Sequence, residues 1–350
     1  MRRVPDVFDC WFESGSMPYG QSHYPFENKK KFEKNFPAEF IAEGVDQTRG
    51  WFYTLLVLSS ALFGKPAYKN VIANGIILAE DGQKMSKRLK NYPDPMELVN
   101  RYGADALRLY LLSSPAVRAE SLNFLEKGVD DVYKKTILRL WNSYSFYRLY
   151  TDKKANGKRQ IANSKNVLDK WILTRLQETI NQISGAINEY ELDKTSQPIG
   201  DFVEDLSIWY IRRSRERFKN SGTDQKSAIA TTHFVLSEFS KAIAPITPFI
   251  SEALFKLLQS KKESVHLEDY PLIKKLAAKE KLLIEEMKKA RKFAELALAK
   301  RQEAGIKVRQ PLFELRIKNY ELRNKNELLN LVKDEVNVKE IVFDKNIATD

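Results

Sequence analysis

The sequence predicts an α/β segment first, an all-α helix bundle second and a small α+β module last. Three observations predict it. Ala38–Ala42 and Val71–Leu78 read as buried strands and alternate with helical spacing at Trp51, Leu55, Leu58 and Leu62. Residues 127–260 carry apolar stripes of helical period and no convincing strand. Beyond Gly305, Phe313, Leu315 and Ile317 alternate with Glu314, Arg316 and Lys318, which is strand periodicity. The boundaries expected are 1–125, 126–270 and 271–350.

Within the first segment, Gly44 to Gly50 is a polar turn between strand and helix. Glu80 to Asn91 is a polar loop after the second strand. Pro95 opens a helix, and Ala104–Leu112 continues as another. Two strands are too few for a parallel sheet, so the sheet is expected to be incomplete. In the bundle, Val129 to Tyr147 marks one long helix and Leu168 to Ile187 a second. Phe202, Leu206 and Trp209 belong to a third, Ala228–Ile243 forms a fourth and Pro248–Leu258 a fifth. Thr151 to Ser164 reads as a loop. Residues 274–304 read as a charged helix ended by Gly305, followed by a strand, a helix over Asn324–Asp334 and a strand over Val336–Phe343.

Composition bounds the function. The 350 residues suit two or three domains, and 43% hydrophobic content is enough for real cores. Lysine and arginine total 58 against 46 acids, a net charge of +12, with a pI near 9.4. That balance suits a polyanionic partner, and on charge alone it suits a basic but ordinary soluble enzyme equally. Cys10 is the single cysteine, which excludes an intramolecular disulfide and a cysteine zinc cage and fits a reducing, cytoplasmic compartment. The longest apolar run, Trp51–Phe63, contains Thr54, Ser59 and Ser60 and is too short to span a bilayer. The first six residues lack the apolar core of a signal peptide.

Three segments carry chemistry. In Lys84-Met85-Ser86-Lys87-Arg88, on the loop after a strand, two lysines flank a serine. Ligands of open α/β sheets sit beyond the strands' carboxyl ends, so this loop can clamp a triphosphate. Asp81-Gly82 supplies the turn that folds it over. A lysine pair in a loop is otherwise solvated surface. Glu43 to Phe52 lies between strand and helix: Gly44 permits close approach, and Glu43, Asp46 and Gln47 can bind an ammonium group and ribose hydroxyls. Asp46 or Thr48 could equally cap the helix. In Asp9 to Ser16, Trp11 and Phe12 fit an ordinary core or the wall of an apolar side-chain pocket.

In this order, the three segments resemble the class I aminoacyl-tRNA synthetases. Lys84–Arg88 is similar to the family's KMSKS loop, and Gly103 to Arg108 to the helix after it. Asp46 to Phe52 with Cys10 to Ser16 resembles the isoleucyl pattern within the class. The likeness continues through Glu204–Arg215, Ala244–Phe249 and Ala304–Leu312, and so covers nearly the whole chain.

The resemblance implies a partial Rossmann-type nucleotide-binding half, an anticodon-binding helix bundle and the start of a tRNA-binding module. It implies activation of isoleucine by ATP and transfer to tRNA(Ile). Lys87 would meet the ATP phosphates and Lys84 assist it, with Met85, Ser86, Arg88 and Asn74 also on the ATP side. Glu43, Gly44, Asp46 and Gln47 would line the aminoacyl-adenylate, and Trp11 and Trp51 the isoleucine pocket. Arg212, Arg213, Arg215 and Arg217 would contact tRNA. At 100° per residue, Arg212, Arg215 and Lys219 share one stripe, Arg213 and Arg217 another, and Ile211 and Phe218 face the core. Internal Arg–Glu pairing on a solvated helix is the plainer alternative. Magnesium is expected only with ATP; no metal site is expected in the chain, and a monomer is expected of the full-length enzyme.

The family's HIGH signature is absent: the three histidines, His23, His233 and His266, lie outside any such motif. The expectation is therefore a carboxy-terminal part of a longer ligase, lacking the HIGH half and the editing domain and inactive alone. A non-catalytic tRNA-binding protein derived from a synthetase, or a valine-specific ligase, are the alternatives.

Overall fold

The computed structural model describes residues 2–151, 164–258, 262–318, 322 and 325–345. Two compact units form: Met1–Val132 with Ile187–Ser196, and Tyr133–Ala186 with Gln197–Asp350. Residues 271–350 fall within the second unit.

The first unit opens with three short helices, α1 (Cys10–Gly15), α2 (Met17–Gly20) and α3 (Lys29–Asn35). Strand β1 (Ala38–Gly44) then leads through a 3₁₀ turn, Val45–Arg49, into α4 (Trp51–Phe63). Strand β2 (Tyr68–Asn74) returns parallel to β1, in register from Ala38 opposite Tyr68 to Gly44 opposite Asn74. Phe32, Phe36, Ile41, Phe52, Leu55 and Ala67 form the core beneath this pair. Phe63 closes it, with ring centroids 5.4 Å from Phe32 and 4.9 Å from Phe36.

The single strand expected over Val71–Leu78 is broken. Strand β2 stops at Asn74, and β3 (Ile77–Leu78) pairs instead with β4 (Leu122–Asn123). The cause is Gly75. Its amide donates to the Ala116 carbonyl at 2.7 Å, and the Glu120 backbone lies so close that a Cβ here would sit 1.7 Å from the Glu120 oxygen. Only glycine admits that crossing, and the crossing diverts the chain from one sheet to the next.

Beyond the lysine loop, Asp94 caps α5 (Pro95–Tyr102) by accepting from the Met96 amide at 2.7 Å. Gly103, at φ +83°, ends α5 and starts α6 (Ala104–Leu112). A 3₁₀ turn, Pro115–Arg118, precedes β4, and α7 (Glu126–Val132) closes the segment. Residues 187–196 join this unit through Tyr190, 5.7 Å from Phe40 between rings, and Asp193, 2.7 Å from Arg118 Nε.

The second unit is helical, as the stripes predict: α8 (Leu138–Leu149), α9 (Val167–Asn188), α10 (Asp193–Glu204), α11 (Arg212–Lys219), α12 (Thr223–Ile243) and α13 (Pro248–Leu257). Most of the expected Thr151–Ser164 loop lies outside the described residues. Two stretches are π-helical rather than α-helical, Tyr133–Ile137 before α8 and Asp205–Ile211 before α11. The second stretch turns Asp205, Leu206, Trp209, Tyr210 and Ile211 all inward. The charged helix α14 (Ala278–Glu303) starts later than residue 274. Gln177 and Asn181 of α9 hold the Leu272 and Lys274 carbonyls at 2.9 and 2.8 Å, which keeps that stretch extended. A β–α–β unit follows: β5 (Leu312–Ile317), α15 (Asn326–Val336) and β6 (Val338–Phe343), with the strands parallel.

Buried charge locks the helices. The carboxylate of Asp169, which is fully buried, accepts from Arg217 at 2.7 and 2.8 Å and from the Tyr210 hydroxyl at 2.7 Å. Arg217 also reaches Asp224 at 2.8 Å. Burial opposes the Arg217 charge, but its hydrogen bonds to the two carboxylates dominate and raise its pKa. Burial and the Asp169 charge push the Tyr210 hydroxyl well above its ordinary value. A second knot joins Asp205 to Arg175 at 2.7 Å and to Arg291, whose guanidinium lies over the Trp171 and Trp209 rings.

Removing one partner of a buried pair strands the other. Asp169→Ala is expected to lose about 3–5 kcal/mol of unfolding free energy in denaturant titration. The Arg217 hydrogen bond holds Asp224 below the usual carboxylate range. A depressed folded pKa contributes stability above the unfolded value, near 3.9, and loses it as pH falls through the folded value. Asp224→Asn should therefore destabilise at about pH 6 and progressively less as pH falls below the unfolded value; a destabilisation that does not change with pH would exclude the ion pair as its source.

Candidate functional site

The first part of the site is the turn between β1 and α4. The Asp46 carboxylate folds back over Gly44, where a Cβ would meet Asp46 Oδ1 at 2.4 Å. Gln47 donates to Asp46 Oδ2 at 3.0 Å and accepts from the Trp51 amide at 3.0 Å. Gly50 is the N-cap residue of α4, and Gln47 takes the free Trp51 amide from within the preceding turn, so neither Asp46 nor Thr48 caps the helix. Thr48 instead donates to the Val45 carbonyl at 2.8 Å inside the turn.

Helix α1 supplies the wall. Asp9 caps it by accepting from the Trp11 and Phe12 amides at 2.9 and 3.0 Å. Gly15 lets α1 lie against α4, since a Cβ there would stand 2.9 Å from Thr54 and Leu58. Trp11 lies against Gly50, where a Cβ would meet its ring at 2.9 Å. The Trp51 indole N–H donates to the Ser14 carbonyl at 3.1 Å, which fixes that ring beside α1. Trp11 keeps 43% of its surface exposed, so the ring is offered rather than buried. Trp51 is half-buried and packs on the core. Across the strand pair, Asn74 stands opposite Gly44 in register, and Glu43 opposite Ala73. The structure therefore brings Trp11, Gly44, Asp46, Gln47, Trp51 and Asn74 to one strand end.

The second part is the lysine loop. After β3, the Ala79 amide donates to Gln83 at 2.8 Å, and Gly82, at φ +81°, makes the turn. Leu78 bridges Lys84 as an antiparallel pair. Asn91 then clamps the loop: its Oδ1 accepts from the Ser86 amide at 3.0 Å, and its Nδ2 donates to the Lys84 carbonyl at 3.2 Å. Ser86 turns inward, with Oγ accepting from the Arg88 amide at 3.2 Å. Lys84, Lys87 and Arg88 are exposed and have no ion pair among the described residues, while Met85 is half-buried. The loop is a fixed backbone with three uncommitted cations. Sequence reasoning saw the cations and missed Asn91, whose seven-residue offset from Lys84 is the distance one amide side chain can close.

The third part is α11. Arg212, Arg215 and Lys219 are exposed, and Ile211 and Phe218 are buried, as the 100° spacing predicts. Arg212 and Arg213 both pair with Glu335 of α15. Arg217 is only 11% exposed and is occupied by Asp169 and Asp224. Of the four arginines, Arg215 alone is exposed with no partner among the described residues. No helix among those residues is long and apolar enough to cross a membrane.

Comparison with known proteins places these features in a family. Residues 1–123 match the family "tRNA synthetases class I (I, L, M and V)", and residues 169–317 match "Anticodon-binding domain of tRNA ligase". An isoleucine–tRNA ligase of Protochlamydia amoebophila is 48% identical over 356 residues, 99% of this chain and 34% of that protein. Those of Chlamydia abortus and Treponema denticola are 49% and 44% identical over 98% of the chain. The chain thus spans about a third of the length of the curated relatives it matches. Among solved structures, a LeuRS of Agrobacterium radiobacter, in a ternary complex with tRNA and LeuAMS, superposes with a TM-score of 0.62 at 19% identity, covering 81% of this chain and 34% of that one. A methionyl-tRNA synthetase of Mycobacterium tuberculosis with methionyl-adenylate gives 0.61 at 19% identity, covering 75% and 53%. The chain carries a segment of a class I tRNA synthetase domain over residues 1–123, followed by an anticodon-binding domain of the tRNA ligases over residues 169–317.

Proposed function

We propose that the chain supplies the lysine-loop segment of the catalytic site and the anticodon-binding part of an isoleucine–tRNA ligase. The observation that carries the reading is the Lys84–Arg88 loop, its backbone fixed by Asn91 and its cations free. Activation of an amino acid by ATP releases pyrophosphate, and negative charge grows on the departing phosphates. Lys87, with Lys84 and Arg88 beside it, neutralises that charge as it develops. ATP brings magnesium with it.

The turn at the end of β1 holds the other reactant. Gly44 lets the ligand approach the backbone, and Glu43 and Asp46 accept from its ammonium and ribose groups. Gln47 keeps Asp46 oriented, and Asn74 borders the nucleotide from the neighbouring strand. Trp11 and Trp51 flank Gly50 and bound an apolar side chain. Charge on α11, Arg215 first, faces the tRNA backbone, whereas Arg217 serves the fold and Arg212 and Arg213 answer Glu335. The 44–49% identity to isoleucine–tRNA ligases supports isoleucine as the amino acid. The ratio of kcat/KM for isoleucine and valine decides between the two specificities.

The test uses the enzyme that unites this chain with a HIGH-bearing segment. Lys87→Ala should lower isoleucine-dependent pyrophosphate exchange by roughly 10²–10³ in kcat while isoleucine binding changes little, because the contact is made in the transition state. An unchanged rate would make the loop structural only. Asn91→Ala should lower the same kcat by about tenfold, since a loosened loop must be reordered at each turnover. A wild-type kcat in that variant would show that the clamp has no part in the reaction.

A further inference from the structure

The loop after α14 is the second place where cations stand free on a braced backbone. Arg301, in the last turn of α14, is 4% exposed. Its Nη2 donates to the Lys307 carbonyl at 2.9 Å, to the Val308 carbonyl at 3.3 Å and to that of Gln310. Asn337 Nδ2 donates to the same Val308 carbonyl at 2.9 Å. Gly305, at φ +68°, turns the chain into this arrangement.

With the carbonyls gathered inward on a guanidinium, the amides of Lys307, Val308 and Arg309 have no acceptor among the described residues. The side chains of Lys307 and Arg309 are exposed and unpaired among those residues. Successive free amides with flanking cations supply the donors that an anion takes. The site follows a helix carboxyl end, which carries about half a negative charge, but the full positive charge of Arg301 lies beneath it and reverses the local sign.

We propose that loop 305–310 binds a phosphate of the RNA backbone, with Lys307 and Arg309 as the contacting cations and Arg301 as the residue that positions them. The proposal rests on the reading of this region as RNA-binding, which the anticodon-binding match through residue 317 supports. An RNA backbone fits the free groups, which are backbone donors, an ammonium and a guanidinium, all of which pair with phosphate oxygens.

The experiment measures binding of the 350-residue chain to tRNA as a function of salt. Lys307→Gln with Arg309→Gln should flatten the slope of log affinity against log salt by roughly 0.7–0.9, the value for one phosphate contact. The control, Lys292→Gln with Lys300→Gln, removes two lysines that pair with Glu295 and Glu303 and should leave the slope unchanged. A slope unchanged in the loop variant, or changed equally in the control, overturns the loop as a site while the RNA-binding reading stands. Failure of the wild-type chain to bind tRNA at low salt overturns that broader reading.

Discussion

One backbone crossing sets the geometry of the catalytic segment. Gly75 passes against Glu120 with no room for a side chain, and its amide is held by Ala116. That contact ends β2 at Asn74 and hands the chain to β3, which aligns on β4. Asn74 is thereby left at a strand end opposite Gly44, and Lys84 begins its loop from the next strand. A continuous strand through residue 78 would have carried the lysines off along the sheet. Here the turn at Gly44 and the lysine loop follow from two strands separated by two residues of chain.

In the helical unit the organising groups are buried carboxylates. Asp169, Asp205 and Glu335 are each at least nine-tenths enclosed, and each is met by two charged or hydroxyl donors. A buried ion is costly unless paired and hydrogen-bonded, so the arginines that answer these acids are committed to the fold. This divides the basic charge of the chain. Arg175, Arg217 and Arg291 hold helices together. Arg215, Lys307 and Arg309 do not, and remain available to a polyanion. A net charge of +12 therefore overstates the cations open to RNA, and only the pairing pattern identifies which they are.

What the sequence shows follows the range of the interactions. Helix periods, Asp94–Pro95 as a helix start, the Gly82 turn and the two faces of α11 are local and were legible. The π turn at Asp205–Ile211 was not, because its inward spacing is imposed by Arg175 and Arg291 from other helices. Nor was the break at Gly75, since Val71–Leu78 is apolar apart from Asn74 and Gly75 and nothing within it announces Glu120. Arg217 looked like its neighbours on α11 because its partner Asp169 lies 48 residues away. The motif residues, Gln47 among them, could be named from sequence, but that Gln47 holds Asp46 and that Asn91 holds the lysine loop needed coordinates.

The two loops with free cations share one construction. In each, a buried or half-buried side chain takes the backbone: Asn91 bridges Lys84 and Ser86, and Arg301 gathers Lys307, Val308 and Gln310. Holding the backbone removes most of the ordering cost that a flexible loop would incur on binding, about 1–2 kcal/mol per residue. Leaving the long side chains unpaired means no ion pair must break before phosphate is engaged. In the phosphate binding proposed for both loops, affinity comes from rigid placement of mobile charge. The same arrangement suits a triphosphate whose charge moves during reaction and an RNA backbone whose charge does not, because the protein fixes the carbon frame and leaves the ammonium and guanidinium groups to find the oxygens.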